Sequence, residues 1–192
     1  MIAHIIERVQ HALPRDHIIV TTSNEASDDP LACYVQHLGL KVFRGPMEDV
    51  FERFRLCLQS NPCDWFFRIS ADSPLLNTSL LKVMMTHVDE SLDLITNVQK
   101  RTFPHGHSAE LLKAQTFRDI NPDRLTAEDR EHVTKFYYSH ADEFRILNLE
   151  NTDSKYARLN FVVDTLDDLH RVEKMEAKAQ YDFTPQVKVT AH

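Results

Sequence analysis

Apolar positions along the chain recur with two alternating periods. Ile2, Ile5, Ile6, Val9 and Leu13 share one helical face, and Pro14 ends it. Ile18 to Thr22 is a short β-branched run that reads as a buried strand. Asp29-Pro30 has the form of an N-cap with proline at the first helical position, with Leu31, Val35 and Leu38 as the apolar face and Gly39 as the stop. A strand is expected at Lys41 to Phe43, a helix through Met47, Val50, Phe51, Phe54 and Leu58, and a strand at Trp65 to Ile69. Leu81, Met84, Met85 and Val88 predict a further helix, and Leu92 to Thr96 a strand. From Lys100 to about Glu110 no period holds, and Pro104 and Gly106 punctuate the segment. Thr126 and Asp129 have capping-box spacing ahead of the face Val133, Phe136, Tyr137, His140. Phe144 to Leu149 and Leu159 to Val163 read as strands, and Leu166, Leu169 and Val172 begin the last helix. Beyond about Gln180 the pattern fades into a tail expected to fray.

Strands alternating with helices of this length predict an α/β domain with a mostly parallel sheet covered on both faces. The domain is expected to span residues 1–180, with 181–192 as a C-terminal tail. In 192 residues, 42% hydrophobic and 27% charged, there is enough apolar material for one core. A formal charge of −7 argues against a nucleic-acid partner, which would call for a basic face. No apolar run approaches the roughly 18 residues of a membrane span, and Met1-Ile2-Ala3-His4 lacks a signal-peptide layout. Cys33, Cys57 and Cys63 form no C-x-x-C pair and read as free thiols of a reducing cytoplasm. Glycine is scarce, 3 in 192 where about 7% is usual, so a glycine-rich phosphate loop has little to draw on.

Ligands of open α/β sheets gather beyond the carboxyl ends of the strands, which selects two acids. Asp72 follows the strand Trp65 to Ile69, and Asp164 follows Leu159 to Val163. If these strands are parallel neighbours, their carboxylates converge as a pair suited to Mg²⁺, whose shell is completed by phosphate oxygens and water. Each has a plainer alternative: Asp164-Thr165 also suits a helix N-cap, and Asp72 a turn before Pro74. Elsewhere the chemistry is thin. His105-Gly106-His107 lacks a third metal ligand at diagnostic spacing, and no H-E-x-x-H occurs. Cys57 and Cys63 have no activating pattern, and Phe51, Phe54, Phe66 and Phe67 read as core.

The residues also carry a family resemblance. Thr22-Ser23-Asn24-Glu25-Ala26-Ser27-Asp28-Asp29-Pro30-Leu31-Ala32, Phe43-Arg44-Gly45 with Glu48-Asp49-Val50-Phe51-Glu52-Arg53-Phe54, and Arg68-Ile69-Ser70-Ala71-Asp72-Ser73-Pro74-Leu75 resemble successive blocks of the spore-coat-polysaccharide type of cytidylyltransferase. These enzymes are related to the acylneuraminate and 3-deoxy-manno-octulosonate cytidylyltransferases. Pro104 to Glu110, Glu131 to Thr134 and Val163 to Leu169 follow in the family's order, so the similarity runs from Ile5 to about Met175. The resemblance implies a three-layer, Rossmann-like nucleotidyltransferase fold. It also implies CTP and a sugar, a nonulosonic acid or similar, as substrates, a CMP-sugar as product, and a homodimer. Asp72 and Asp164 are then catalytic and hold Mg²⁺, Arg68 and Ser70 meet the nucleotide, and Gly106 and Glu110 meet the sugar.

Set beside that family, the chain starts at the helix that follows the first strand and the nucleotide-wrapping loop. An N-terminally truncated, crippled enzyme is therefore expected, one that binds nucleotide triphosphate poorly. The strands at Ile18 to Thr22 and Trp65 to Ile69 would flank the missing strand, so their facing edges must pair together, accept another segment or stay unsatisfied. Two other readings stay open. A nucleotide-sugar-dependent glycosyltransferase would want a D-x-D pair, of which Ala71-Asp72-Ser73 supplies one acid; a non-catalytic binding subunit would need neither.

Overall fold

The computed structural model describes residues 1–176 and 185–191. In chain order the main elements are α1 (Ile2–Gln10), β1 (Ile19–Ser23), α2 (Asp29–His37), β2 (Lys41–Gly45), α3 (Val50–Ser60), β3 (Trp65–Arg68) and α4 (Thr78–Thr86). There follow β4 (Leu94–Thr96), β5 (Glu110–Lys113), α5 (Ala114–Asp119), α6 (Ala127–Glu131), α7 (Lys135–Ser139), β6 (Ile146–Asn151), α8 (Leu166–Glu176) and β7 (Val187–Ala191). They divide between two compact units, Met1–Leu13 with Phe67–Leu112 and Phe144–His192, and Pro14–Phe66 with Lys113–Glu143. The boundary expected at 180 lies outside the described residues, but 187–191, expected as tail, form a strand of the sheet.

In the second unit β1 and β2 pair in parallel, Val20 opposite Val42, which α2 makes possible as the crossover between them. The core is aromatic. Phe51 of α3 sits 4.3 Å from Phe117 of α5, Phe117 meets Phe66 edge-on at 5.2 Å, and Phe66 lies 6.1 Å from Phe54. Phe117 is fully buried, although the sequence pattern gave it no place. Two helix expectations need correction. The N-cap of α2 is Asp28 rather than Asp29, and its carboxylate makes no cap bond because the hydroxyls of Thr22 and Ser23 claim it. The helix expected through His140 breaks at His132, which leaves the helical region at φ −106°, ψ 71°. Val133, Phe136 and Tyr137 are nonetheless buried, so the apolar face survives the break.

The other sheet runs in the order β3-β5-β4-β6-β7. β4 and β6 pair in parallel, Ile95 opposite Leu147, while β5 runs antiparallel to β4 and β7 antiparallel to β6. Leu94, Ile95 and Thr96 are wholly buried, as a strand flanked on both sides requires. Leu159 to Val163 is not a strand. It makes a single bridge, Asn160 to His105, and its apolar residues turn into a cluster of Leu75, Phe161, Val163 and Val172. β1 is paired only to β2 and β3 only to β5, so among the described residues they lie in separate sheets, each with one open edge.

Candidate active site

Asp72 stands in the turn after β3, anchored by the buried Leu75 and Leu76 and by Asn77, whose side chain accepts the Leu80 N–H at 3.0 Å and so caps α4. The Ser73 hydroxyl donates to Asp72 Oδ1 at 2.7 Å. Asp164 stands at the entrance of α8, where Thr165 and Asp168 form a reciprocal cap. Thr165 Oγ1 accepts the Asp168 N–H at 3.2 Å, and Asp168 Oδ2 accepts the Thr165 N–H at 3.1 Å and its hydroxyl at 2.8 Å. Capping is thus the work of Thr165 and Asp168. The Asp164 carboxylate is left exposed and takes no hydrogen bond or ion pair among the described residues.

The main chains that carry the two acids are joined, but not as neighbouring strands. The N–H of Val163, next to Asp164, donates to the Asp72 carbonyl at 2.9 Å. Arg171 of α8 holds the same segment from the other side. Its guanidinium donates to the carbonyl of Asn160, to that of Val162 at 2.9 Å and to Asp168 Oδ1 at 2.7 Å. Asp168 Oδ2 also accepts the Asp164 N–H at 3.3 Å. The Arg171–Asp168 pair therefore binds main-chain groups on both sides of Asp164. With those donors around it, the Asp168 carboxyl titrates at about 2.

Gly106 closes the opposite flank. His105 donates its N–H to the Leu159 carbonyl at 3.1 Å and accepts the Phe161 N–H at 2.8 Å, which brings the loop onto this segment. Gly106 has φ +90°, and a Cβ there would stand 2.9 Å from the Phe161 carbonyl carbon, so only glycine fits. His107 is fully buried, with its ring 4.8 Å from that of Phe161, and burial lowers its pKa to about 3. It is a neutral core histidine.

Arg68 and Glu110, expected on nucleotide and sugar, are brought to each other. Arg68 Nη1 is 3.5 Å from Glu110 Oε2, with the carboxylate buried and the guanidinium partly open. Ser70 is half-buried between Arg68 and Asp72 in sequence. Two hard carboxylates on segments joined by a main-chain bond, the Asp164 one uncommitted among the described residues, fit Mg²⁺ in donor type. No cluster of three or more His, Cys, Asp or Glu side chains occurs among the described residues, so an ion here would draw its remaining oxygens from ligand and water. Sequence reasoning missed Asp168 and Arg171. Thr165 and Asp168 repeat the spacing of Thr126 and Asp129, and Arg171 sits one turn on.

The α/β fold and the family match together make the chain a nucleotidyltransferase. The chain belongs to the cytidylyltransferase family, whose model matches residues 1–188. It is 28% identical over 168 residues to the spore coat polysaccharide biosynthesis protein SpsF of Bacillus subtilis, covering 86% of this chain and 69% of that protein. Among solved structures it is similar to a cytidylyltransferase from Leptospira borgpetersenii, with TM-score 0.82, 18% identity, and 97% and 87% of the two chains covered. It is also similar to CMP:2-keto-3-deoxy-manno-octonic acid synthetase complexed with CTP, with TM-score 0.66, 13% identity, and 93% and 88% covered. These structural likenesses concern the fold. No helix among the described residues is long and apolar enough to cross a membrane.

Proposed function

We propose that the chain transfers a cytidylyl group from CTP to a hydroxyl of a sugar acid of the nonulosonic type, releasing pyrophosphate and forming a CMP-sugar. The observation that supports this reading is the bond from Val163 N–H to the Asp72 carbonyl, which ties the main chain next to the uncommitted Asp164 to that of Asp72. Asp72 and Asp164 are the residues that hold Mg²⁺. Bound there, Mg²⁺ would supply charge neutralisation at the phosphates. The remaining work is positioning. Thr165, Asp168 and Arg171 fix the main chain that presents Asp164. Arg68, held by Glu110, offers its partly open guanidinium toward the nucleotide, with Ser70 beside it. The Gly106 loop lines the sugar side.

The reading is tested by pyrophosphate release with CTP, Mg²⁺ and a panel of nonulosonic acids. Turnover with at least one acid, abolished by Asp72→Asn and by Asp164→Asn, is the expected result. Wild-type turnover in either variant, or release indifferent to the acid supplied, overturns it.

A further inference from the structure

The ladder between β4 and β5 ends at the pair Thr96 and Glu110, and one position further out a side chain takes over. Asn97 Nδ2 donates to the His107 carbonyl at 2.8 Å, and Asn97 Oδ1 accepts the Ala109 N–H at 2.9 Å. The amide thus offers one donor and one acceptor to the main chain, as a further peptide group of the ladder would. Asn97 is 1% exposed, and His107 and Ala109 are wholly buried. A buried amide is costly unless both of its ends are bonded, and here both are spent on one loop.

That loop holds Gly106. The His107 N–H donates to the Pro104 carbonyl at 3.1 Å, while His105 is bonded to Leu159 and Phe161. The glycine therefore lies between two anchored residues, and Asn97 is the anchor on the side of β5. The Leu159–Phe161 segment runs on to Val163, whose N–H binds the Asp72 carbonyl at 2.9 Å. Hydrogen bonds and short stretches of chain thus link Asn97, through the Gly106 loop, to the segment that carries Asp164. Two more bonds hold the chain ahead of the loop. Lys100 donates its N–H to Asn148 Oδ1 at 3.4 Å, and Thr102 Oγ1 accepts the Asn151 N–H at 2.7 Å.

A loop fixed in advance loses little conformational freedom when a ligand settles on it, and it fixes where that ligand lies. We infer that Asn97 is a positioning residue for the sugar acid, acting through the Gly106 loop that its amide holds in place. The inference rests on the reading that this loop lines the sugar side.

The test titrates N-acetylneuraminate and 3-deoxy-manno-octulosonate separately into the ¹⁵N-labelled chain and follows the amide signals of residues 105–110. CMP and Mg²⁺ are present throughout, so the nucleotide side is supplied and no pyrophosphate can leave. At least one acid is expected to shift the loop signals saturably. Its affinity falls about tenfold or more in Asn97→Ala and Asn97→Asp, while CMP affinity stays within about twofold, as loss of a buried hydrogen bond confined to the loop requires. Variants that bind the acid as tightly as the wild type overturn the inference. So do loop signals that neither acid moves in the wild type, and equal weakening of acid and CMP, which would make the amide merely structural. Asn97→Asp keeps the volume and the acceptor and loses the donor, and unchanged signals outside residues 97–110 establish its fold. Failure of both variants to fold also counts against a positioning role. A chain that binds the acid through the loop yet releases no pyrophosphate from CTP refutes the proposed reaction and keeps Asn97. Turnover with motionless loop signals does the reverse.

Discussion

At the scale of single residues, side chains that tertiary contacts have claimed differ from those left open. Asp164 is open: the cap belongs to Thr165 and Asp168, so its carboxylate contributes nothing visible to stability. Asp164→Asn should change the unfolding free energy by less than about 0.5 kcal/mol in urea titrations. It should also abolish Mn²⁺ binding followed by electron paramagnetic resonance, and a variant that binds Mn²⁺ like the wild type removes Asp164 from the metal site. Gly106 is the opposite case. Its φ of +90° and the 2.9 Å approach to the Phe161 backbone leave no space for a methyl group. Gly106→Ala should lose roughly 1–3 kcal/mol from backbone strain alone, before the clash is counted. A thermal midpoint equal to that of the wild type would show that the loop does not need this conformation.

Among the elements, α8 does more than cover the sheet. Its first turn and Arg171 grip the segment Asn160–Thr165 by four main-chain groups, the carbonyls of Asn160 and Val162 and the N–H groups of Asp164 and Thr165. An acid on an irregular connector would wander; this one is held on both sides. Arg171→Gln should speed hydrogen exchange at the Val163 and Asp164 amides and weaken Mn²⁺ binding about tenfold, the usual scale for loss of an outer support. Unchanged exchange at both amides would mean that the carbonyl contacts are dispensable. The helix α4 offers a simpler check. Asn77→Ala should cost about 1 kcal/mol by stripping the N-cap, read as a lowered thermal midpoint.

Over the whole molecule, the buried His107 ties stability to pH. Its pKa in the fold is about 3, below the ordinary 6.5, so the unfolded chain binds this proton first as pH falls. Stability from the neutral ring is complete above about pH 6.5 and is lost as pH falls from there toward 3, with a slope approaching 1.4 kcal/mol per pH unit at most. Carboxylates lose stability in the same direction at lower pH, so the measurement is a difference. His107→Gln should flatten the dependence of unfolding free energy on pH between 4 and 6, and superimposable slopes would show that His107 does not titrate on unfolding.

Most helices and the buried strands were legible in the apolar period, because burying a face is a local demand that each segment states in its own sequence. The capping box of Thr126 and Asp129 was legible for the same reason, its partners being three residues apart. Leu159 to Val163 was misread as a strand. An apolar run of that length satisfies a strand or a buried connector equally, and only its neighbours, Gly106 and Arg171, decide between them. β5 and β7 escaped notice because each is fixed by the strand it pairs with rather than by its own pattern.

By itself, the sequence determined the α/β class, the positions of Asp72 and Asp164 at the ends of apolar runs, and the family to which the chain belongs. Only the tertiary structure decided that the main chain beside Asp164 bonds to that of Asp72, that Arg68 and Glu110 hold each other, that Asp168 rather than Asp164 caps α8, and that the buried Arg53 Nε is left without an acceptor. The physical reason is range. Periodicity and capping act over a few residues, whereas the pairing of a charge or an N–H depends on which distant segment the folded chain brings within about 3 Å of it.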